Sequence, residues 1–156
     1  MKVSQKGLYA LKALMLLARR YPEGAIKIRE IAEGEELPEK FLELILLELN
    51  HARVVESVRG SRGGYRLKRP PSEIFLGEII RTIDGPLAPF EDAESLRRLV
   101  VHDEKHSALF QVLLSVRDAA ARILDHTSLR DVCNRTGRPP VSVELRRGDW
   151  TEGQRE

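Results

Sequence analysis

Cysteine is nearly absent from this chain: Cys133 is the one thiol in 156 residues. A single thiol excludes an intrachain disulfide and agrees with a reducing compartment. Long apolar runs are missing too. No stretch approaches the roughly eighteen apolar residues of a membrane span, and Lys12 interrupts the first apolar segment. Lys2 and Lys6 precede that segment without a cleavage pattern, so the expectation is a cytoplasmic protein with no leader and no membrane partner. Catalytic signatures are lacking: there is no phosphate-cradling glycine motif at a strand-to-helix junction, no nucleophile elbow, and no acid–base pair of fixed separation. The chain is therefore expected to bind rather than to catalyse. Net charge is small, +2, but unevenly spread. Residues 1–70 hold 14 Lys and Arg against 9 Asp and Glu (net +5), and residues 71–156 hold 12 against 15 (net −3). A basic front and a mildly acidic rear suit a polyanion docked on one face, although the same excess also serves solubility.

What is present is most distinctive in the run Val58-Arg59-Gly60-Ser61-Arg62-Gly63-Gly64-Tyr65-Arg66-Leu67, where glycines and arginines lie between two stretches of β-formers. Val54 to Val58 has strand composition, and after the loop Tyr65 and Leu67 point one way while Arg66 and Lys68 point the other. Gly60, Gly63 and Gly64 supply the positive φ values of a tight reversal and leave Arg59 and Arg62 at its tip. Such a hairpin suits a phosphate backbone or a narrow groove; taken alone it reads more readily as a solvated turn. Upstream, residues 7–20 carry Leu8, Leu11, Leu14, Met15, Leu17 and Ala18 at helical spacing, and residues 28–33 make a short second helix. Pro38 takes a first helical position, and residues 38–53 turn Phe41, Leu42, Ile45, Leu46 and Leu49 inward. Helix, short helix, turn, helix and hairpin are the winged helix-turn-helix plan, in which the third helix enters the major groove. The fold class expected is mostly α with a small β-wing.

The second half offers a means of pairing. A short helix over 74–83 stops at Asp84-Gly85-Pro86. From about Lys105 to His126, Leu109, Leu113, Val116, Ala120 and Ile123 recur at coiled-coil spacing, with Phe110, Val112 and Leu114 widening the apolar surface. A long helix apolar on more than one side must bury that surface, either on its own winged domain or, as expected here, in a homodimer. A two-fold dimer implies a palindromic DNA site. The organisation expected is a winged domain over 1–86, a linker or sensor loop over 87–103, a dimerisation helix over 104–133, and a flexible tail over 134–156.

Several segments together carry a resemblance. They are the opening Met1 to Ala10, Ile31-Ala32 through Pro38-Glu39-Lys40-Phe41-Leu42-Glu43, the wing Val58-Arg59-Gly60 with Gly63-Gly64-Tyr65, and Leu76-Gly77-Glu78-Ile79-Ile80 with Asp84-Gly85-Pro86-Leu87. From Met1 to about Cys133 the chain resembles the bacterial winged-helix transcriptional regulators of the Rrf-two type, which include IscR, NsrR and CymR. The resemblance implies a homodimeric DNA-binding regulator, a repressor more readily than an activator, whose long helices cross. It implies DNA contacts from Lys40, Phe41 and Glu43 on the third helix, and from Arg59, Gly60, Ser61 and Arg62 with Tyr65 in the wing. Lys2, Ser4 and Lys6 would touch phosphates. Glu43 suits a cytosine amino group, Lys40 a guanine or phosphate, and Phe41 either a thymine methyl or the core. Where relatives commonly carry glutamine after the glutamate, this chain has Leu44, which removes an adenine-type contact.

The resemblance also directs attention to a sensor. Cluster-binding members hold iron through three cysteines between the fourth helix and the long helix, and this chain has none there, so no iron-sulfur cluster and no other cofactor is expected. In His102-Asp103-Glu104-Lys105-His106, a continuous helix would put His102 and His106 on one face as zinc ligands, with Glu91, Asp92 or Glu94 as oxygen donors. A helix cap at Asp103 or Ser107 explains the same residues without a metal. Cys133 is a redox candidate if it meets its mate across a two-fold axis, and otherwise a small buried thiol. The effector is not encoded in any of these patterns. The alternative function is a winged-helix protein-interaction module, with Glu39 and Glu43 facing a basic partner.

Overall fold

The computed structural model describes residues 3–86 and 93–135. Three helices open the chain: α1 (Gln5–Arg19), α2 (Ile28–Glu35) and α3 (Glu39–His51). An antiparallel hairpin follows, β1 (Val55–Val58) with β2 (Gly64–Leu67), and then α4 (Leu76–Asp84), α5 (Ala93–His102), α6 (Ser107–Asp125) and α7 (Leu129–Asn134). The mostly helical winged plan is as expected.

The turn between α2 and α3 is closed locally. Glu36 adopts a left-handed conformation (φ 54°), and the Leu37 N–H donates back to the Ala32 carbonyl at 2.8 Å while the Leu37 side chain is buried. Pro38 is the N-cap of α3 rather than its first helical residue. Its carbonyl still accepts from Phe41 and Leu42, so the ring ends the turn and starts the helix from one position out. The core gathers Leu14 and Leu17 of α1, Ile31 of α2, Leu42, Ile45, Leu46 and Leu49 of α3, Val54 and Val55 of the hairpin, and Ile79 of α4.

Helix α4 fastens to α1 at the start of the chain. Ser4 caps α1, its Oγ accepting from the Gly7 N–H at 3.0 Å. The Asp84 carboxylate accepts from the Ser4 N–H at 2.9 Å and from the Ser4 hydroxyl. It lies so close to Gly7 that a Cβ there would overlap it. A carboxylate at a helix N-terminus is also favoured by the helix dipole. Asp84→Ala is expected to cost about 1–2 kcal/mol by loss of its hydrogen bonds from Ser4, read as a melting temperature lowered by several degrees.

Two expected boundaries are corrected. The segment 87–103 is not a loop throughout, because α5 occupies 93–102: Leu96 is buried and Leu99 and Val100 are half-buried at helical spacing, and α5 packs along α6. The helix expected over 104–133 is interrupted. A 3₁₀ turn at Glu104–His106 precedes α6, which ends at Asp125, and α7 is a separate helix. The break at 126–128 has a local cause. Ser128 and Asp131 form a capping box: the Ser128 Oγ accepts from the Asp131 N–H at 3.2 Å, and the Asp131 carboxylate accepts from the Ser128 N–H at 2.8 Å. The Ser128 hydroxyl, at 2.6 Å, and then its backbone N–H hold the Asp131 carboxyl below the usual carboxylate range.

This break sends the chain back into the winged domain, which is therefore not made by residues 1–86 alone. The Leu76 N–H donates to the Thr127 carbonyl at 3.0 Å and the Leu129 N–H to the Ile74 carbonyl at 2.9 Å. Leu129 is fully buried in the same core as Leu14 and Leu46, and α7 packs on α1. Helix α6 meets α4 through Ile80 and Ala121, backed by Leu11 and Leu124. The Arg81 guanidinium donates to the Asp125 carboxylate at 2.6 Å beside Gly77, where a Cβ would overlap that carboxylate. The expected tail lies outside the described residues from 136 onward.

Candidate nucleic-acid interface

Helix α3 has one face spent on the core and one left over. At about 100° per residue, Lys40, Glu43, Leu44 and Leu47 fall on the outer side, and all four are exposed. Neither Lys40 nor Glu43 is ion-paired among the described residues. Phe41 lies at the edge of that face and packs: its ring meets Tyr9 of α1 edge-to-face with centroids 5.8 Å apart, and it rests against the core. Of the two readings of Phe41, the structure gives it the core contact.

The three N-terminal candidates differ from one another. Lys2 lies outside the described residues. Lys6 is held by Glu48 of α3, Nζ to carboxylate 2.5 Å, an ion pair between α1 and the flank of α3. The Ser4 hydroxyl has one proton, and it is donated to Asp84. In this geometry the Ser4 side-chain donor is already engaged within the fold.

The wing is built for an exposed tip on a fixed base. Gly60 (φ 105°) turns the chain, and the Gly63 N–H donates to the Gly60 carbonyl at 2.9 Å. Arg59, Gly60, Ser61 and Arg62 are exposed, and neither arginine is ion-paired among the described residues. Arg66, in contrast, is neutralised across the hairpin by Glu56 at 2.7 Å. Gly63 does not take the positive φ expected of it. It is a glycine for lack of room, since a Cβ would run into the carbonyls of Val58 and Gly60.

At the base, Tyr65 and Ile26 exchange both backbone hydrogen bonds at 2.8 Å, so the segment between α1 and α2 flanks the wing like a third strand. The Tyr65 side chain is half-buried against the core, making it an anchor of the wing.

Helix α6 presents a second kind of surface. Leu109, Val112, Val116 and Ile123 are exposed along one side, Leu113 and Ala120 lie half-buried between them, and Val101 of α5 is exposed as well. The expected seam is thus open in the single chain.

The sensor candidates do not assemble. His102 ends α5 and His106 stands in the 3₁₀ turn beyond Asp103, so no continuous helix aligns them. The His106 Nδ1 is instead 3.0 Å from the Asp103 carboxylate, and Asp103 caps the turn. Glu91 and Asp92 lie outside the described residues, among which no group of three His, Cys, Asp or Glu side chains converges. Cys133 sits on α7 against the core, its Sγ 3.9 Å from the Met15 carbonyl oxygen.

Sequence reasoning missed Leu47 as a surface residue and the seat of Asp84 on α1. Leucines at 44 and 47 opposite a filled apolar face were the available signal for the first. Nothing local announced the second.

Comparison with known proteins agrees with this geometry. A family model described as "Rrf2: Iron-dependent Transcriptional regulator" matches residues 3–135. The HTH-type transcriptional regulator CymR of Bacillus subtilis is 37% identical over 136 residues, 87% of this chain and 92% of that protein. The structure described as CymR, the global cysteine regulator of B. subtilis, superposes with a TM-score of 0.74 at 36% identity, covering 86% of this chain and 97% of that one. The T. potens IscR structure gives 0.71 at 32%, covering 91% and 93%. The family description includes iron, but the residues of this chain do not fit a cysteine-ligated cluster, which needs several thiolates where there is one. No helix among the described residues is long and apolar enough to cross a membrane. Its sequence over nearly the whole described length and its fold agree: the chain belongs to the Rrf2 family of transcriptional regulators, and it is not an enzyme.

Proposed function

We propose that this regulator is a cytoplasmic homodimer that binds a palindromic DNA operator through α3 and the wing, acts as a repressor, and works without a cysteine-ligated iron-sulfur cluster. The observation that carries the DNA reading is the pair Arg59 and Arg62: exposed guanidinium groups without ion-pair partners among the described residues, at the tip of a wing whose base is tied by the Tyr65–Ile26 bridge. Arginines held this way serve phosphates or a minor groove rather than the fold. Support for the dimer comes from the apolar side of α6, too extensive to be left to water. Two copies related by a two-fold axis present two α3 helices to successive major grooves, which calls for a palindrome.

Selecting bound fragments from genomic DNA with the purified protein tests this, followed by salt titration of the best fragment. The expected result is a palindrome whose affinity falls steeply with salt. Arg59→Ala should weaken it about tenfold or more and reduce the log–log salt slope by about two, one contact per subunit. Recovery of no preferred sequence, or a slope indifferent to Arg59, would turn the reading toward a protein-interaction module.

A further inference from the structure

Leu44 and Leu47 are 57% and 46% exposed on a helix whose other side is already filled by Leu42, Ile45, Leu46 and Leu49. They are interleaved with Lys40 and Glu43, charged groups without ion-pair partners among the described residues. Nothing in the fold asks for leucine at 44. A protein partner is a poor match: a stable interface needs about 800 Å² on each side with an apolar centre, and two leucines in a charged stripe fall well short. The floor of the major groove is a better match, because its one apolar group is the thymine 5-methyl, set among donors and acceptors for neighbouring charged side chains. Leu44 lies in the second turn of α3, near the N-terminal end that a recognition helix lays on base edges. Leu47 lies a turn further along.

We infer that Leu44 is a specificity-determining residue that packs on a thymine methyl in each half of the operator, an inference that rests on the DNA reading above. Phe41, the sequence-based candidate for a methyl contact, is occupied by Tyr9. Leucine has no hydrogen-bonding group, so discrimination at that base pair comes from the methyl alone. Burying one methyl is worth about a fourfold change in affinity, or roughly fifteenfold when both half-sites change together.

The test replaces each thymine of the selected operator in turn, in both half-sites, by deoxyuridine, which lacks only the methyl. The wild type, Leu44→Ala and Leu47→Ala proteins are titrated on each DNA. The expected result is one symmetric position where uracil weakens the wild type roughly fifteenfold, leaves Leu44→Ala unchanged, and still weakens Leu47→Ala. Leu44 is exposed, so Leu44→Ala keeps its fold, which nonspecific DNA affinity equal to that of the wild type verifies. If the palindrome is bound but no uracil effect depends on residue 44, this inference is overturned and the DNA reading stands. If no operator is bound at all, both this inference and the DNA reading fall.

Discussion

Val116→Glu is expected to split the proposed dimer into folded monomers and to lower operator affinity by two orders of magnitude or more. Val116 is 62% exposed in the single chain and sits mid-way along the apolar side of α6. A carboxylate there costs the protomer little, because water reaches it. In a two-fold interface the same change is made twice, and each added carboxylate loses its water. Each uncompensated buried charge costs several kcal/mol, enough to raise the dimer dissociation constant more than a hundredfold. DNA affinity follows, since a dimer binds its second half-site at an effective concentration that monomers lack. Sedimentation equilibrium together with helical circular dichroism decides the matter. A variant that stays dimeric would move the interface off α6, and one that unfolds would show that α6 is needed within the protomer.

Gly64→Ala is expected to destabilise the protein by about 3 kcal/mol and to release the wing. Gly64 holds φ 144°, and a Cβ on it would strike the Ile26 carbonyl, a backbone group that cannot swing aside. Backbone strain of this kind costs about 1–3 kcal/mol. Relieving the clash means parting Ile26 from Tyr65, and two short backbone hydrogen bonds at about 0.5–1.5 kcal/mol each go with it. The measurements are urea unfolding and hydrogen exchange at the Ile26 and Tyr65 amides. Gly60→Ala is the comparison: its φ is also positive, but nothing stands within contact distance of an added Cβ, so only strain at the tip is expected. Equal stability losses for the two variants would argue against the clash with Ile26.

The parts of this fold that the sequence makes legible are those whose cause is local. Apolar spacing fixes α1 and α3, and the glycine-rich run between β-formers fixes the hairpin, because periodicity and turn chemistry act over a few residues. The break between α6 and α7 was equally local, written in the Ser128–Asp131 capping box, but a continuous apolar pattern leading into it concealed it. Helix α5 was hidden by its charges: Arg97 and Arg98 interrupt the stripe of Leu96, Leu99 and Val100. The third strand beside the wing was beyond sequence reasoning, since one residue pair at Ile26 and Tyr65 leaves no pattern. Within the site, the exposed arginines were legible from composition. Helical spacing left Phe41 between core and groove, and the engagement of Ser4 and Lys6 was not legible, because Asp84 and Glu48 are brought to them by packing.

The return of α7 to α1 bears on how the protein is made. Met15 and Cys133 touch across 118 positions of sequence, and Leu129 completes a core begun by Leu14. At about 5–20 residues per second of synthesis, α3 is finished roughly 4–17 s before α7. For that interval the nascent winged domain has an open slot where Leu129 belongs. The DNA-reading unit becomes whole only when the chain beyond the long helix has been translated, so a transcript cut short after α6 would yield a regulator with an unsealed core.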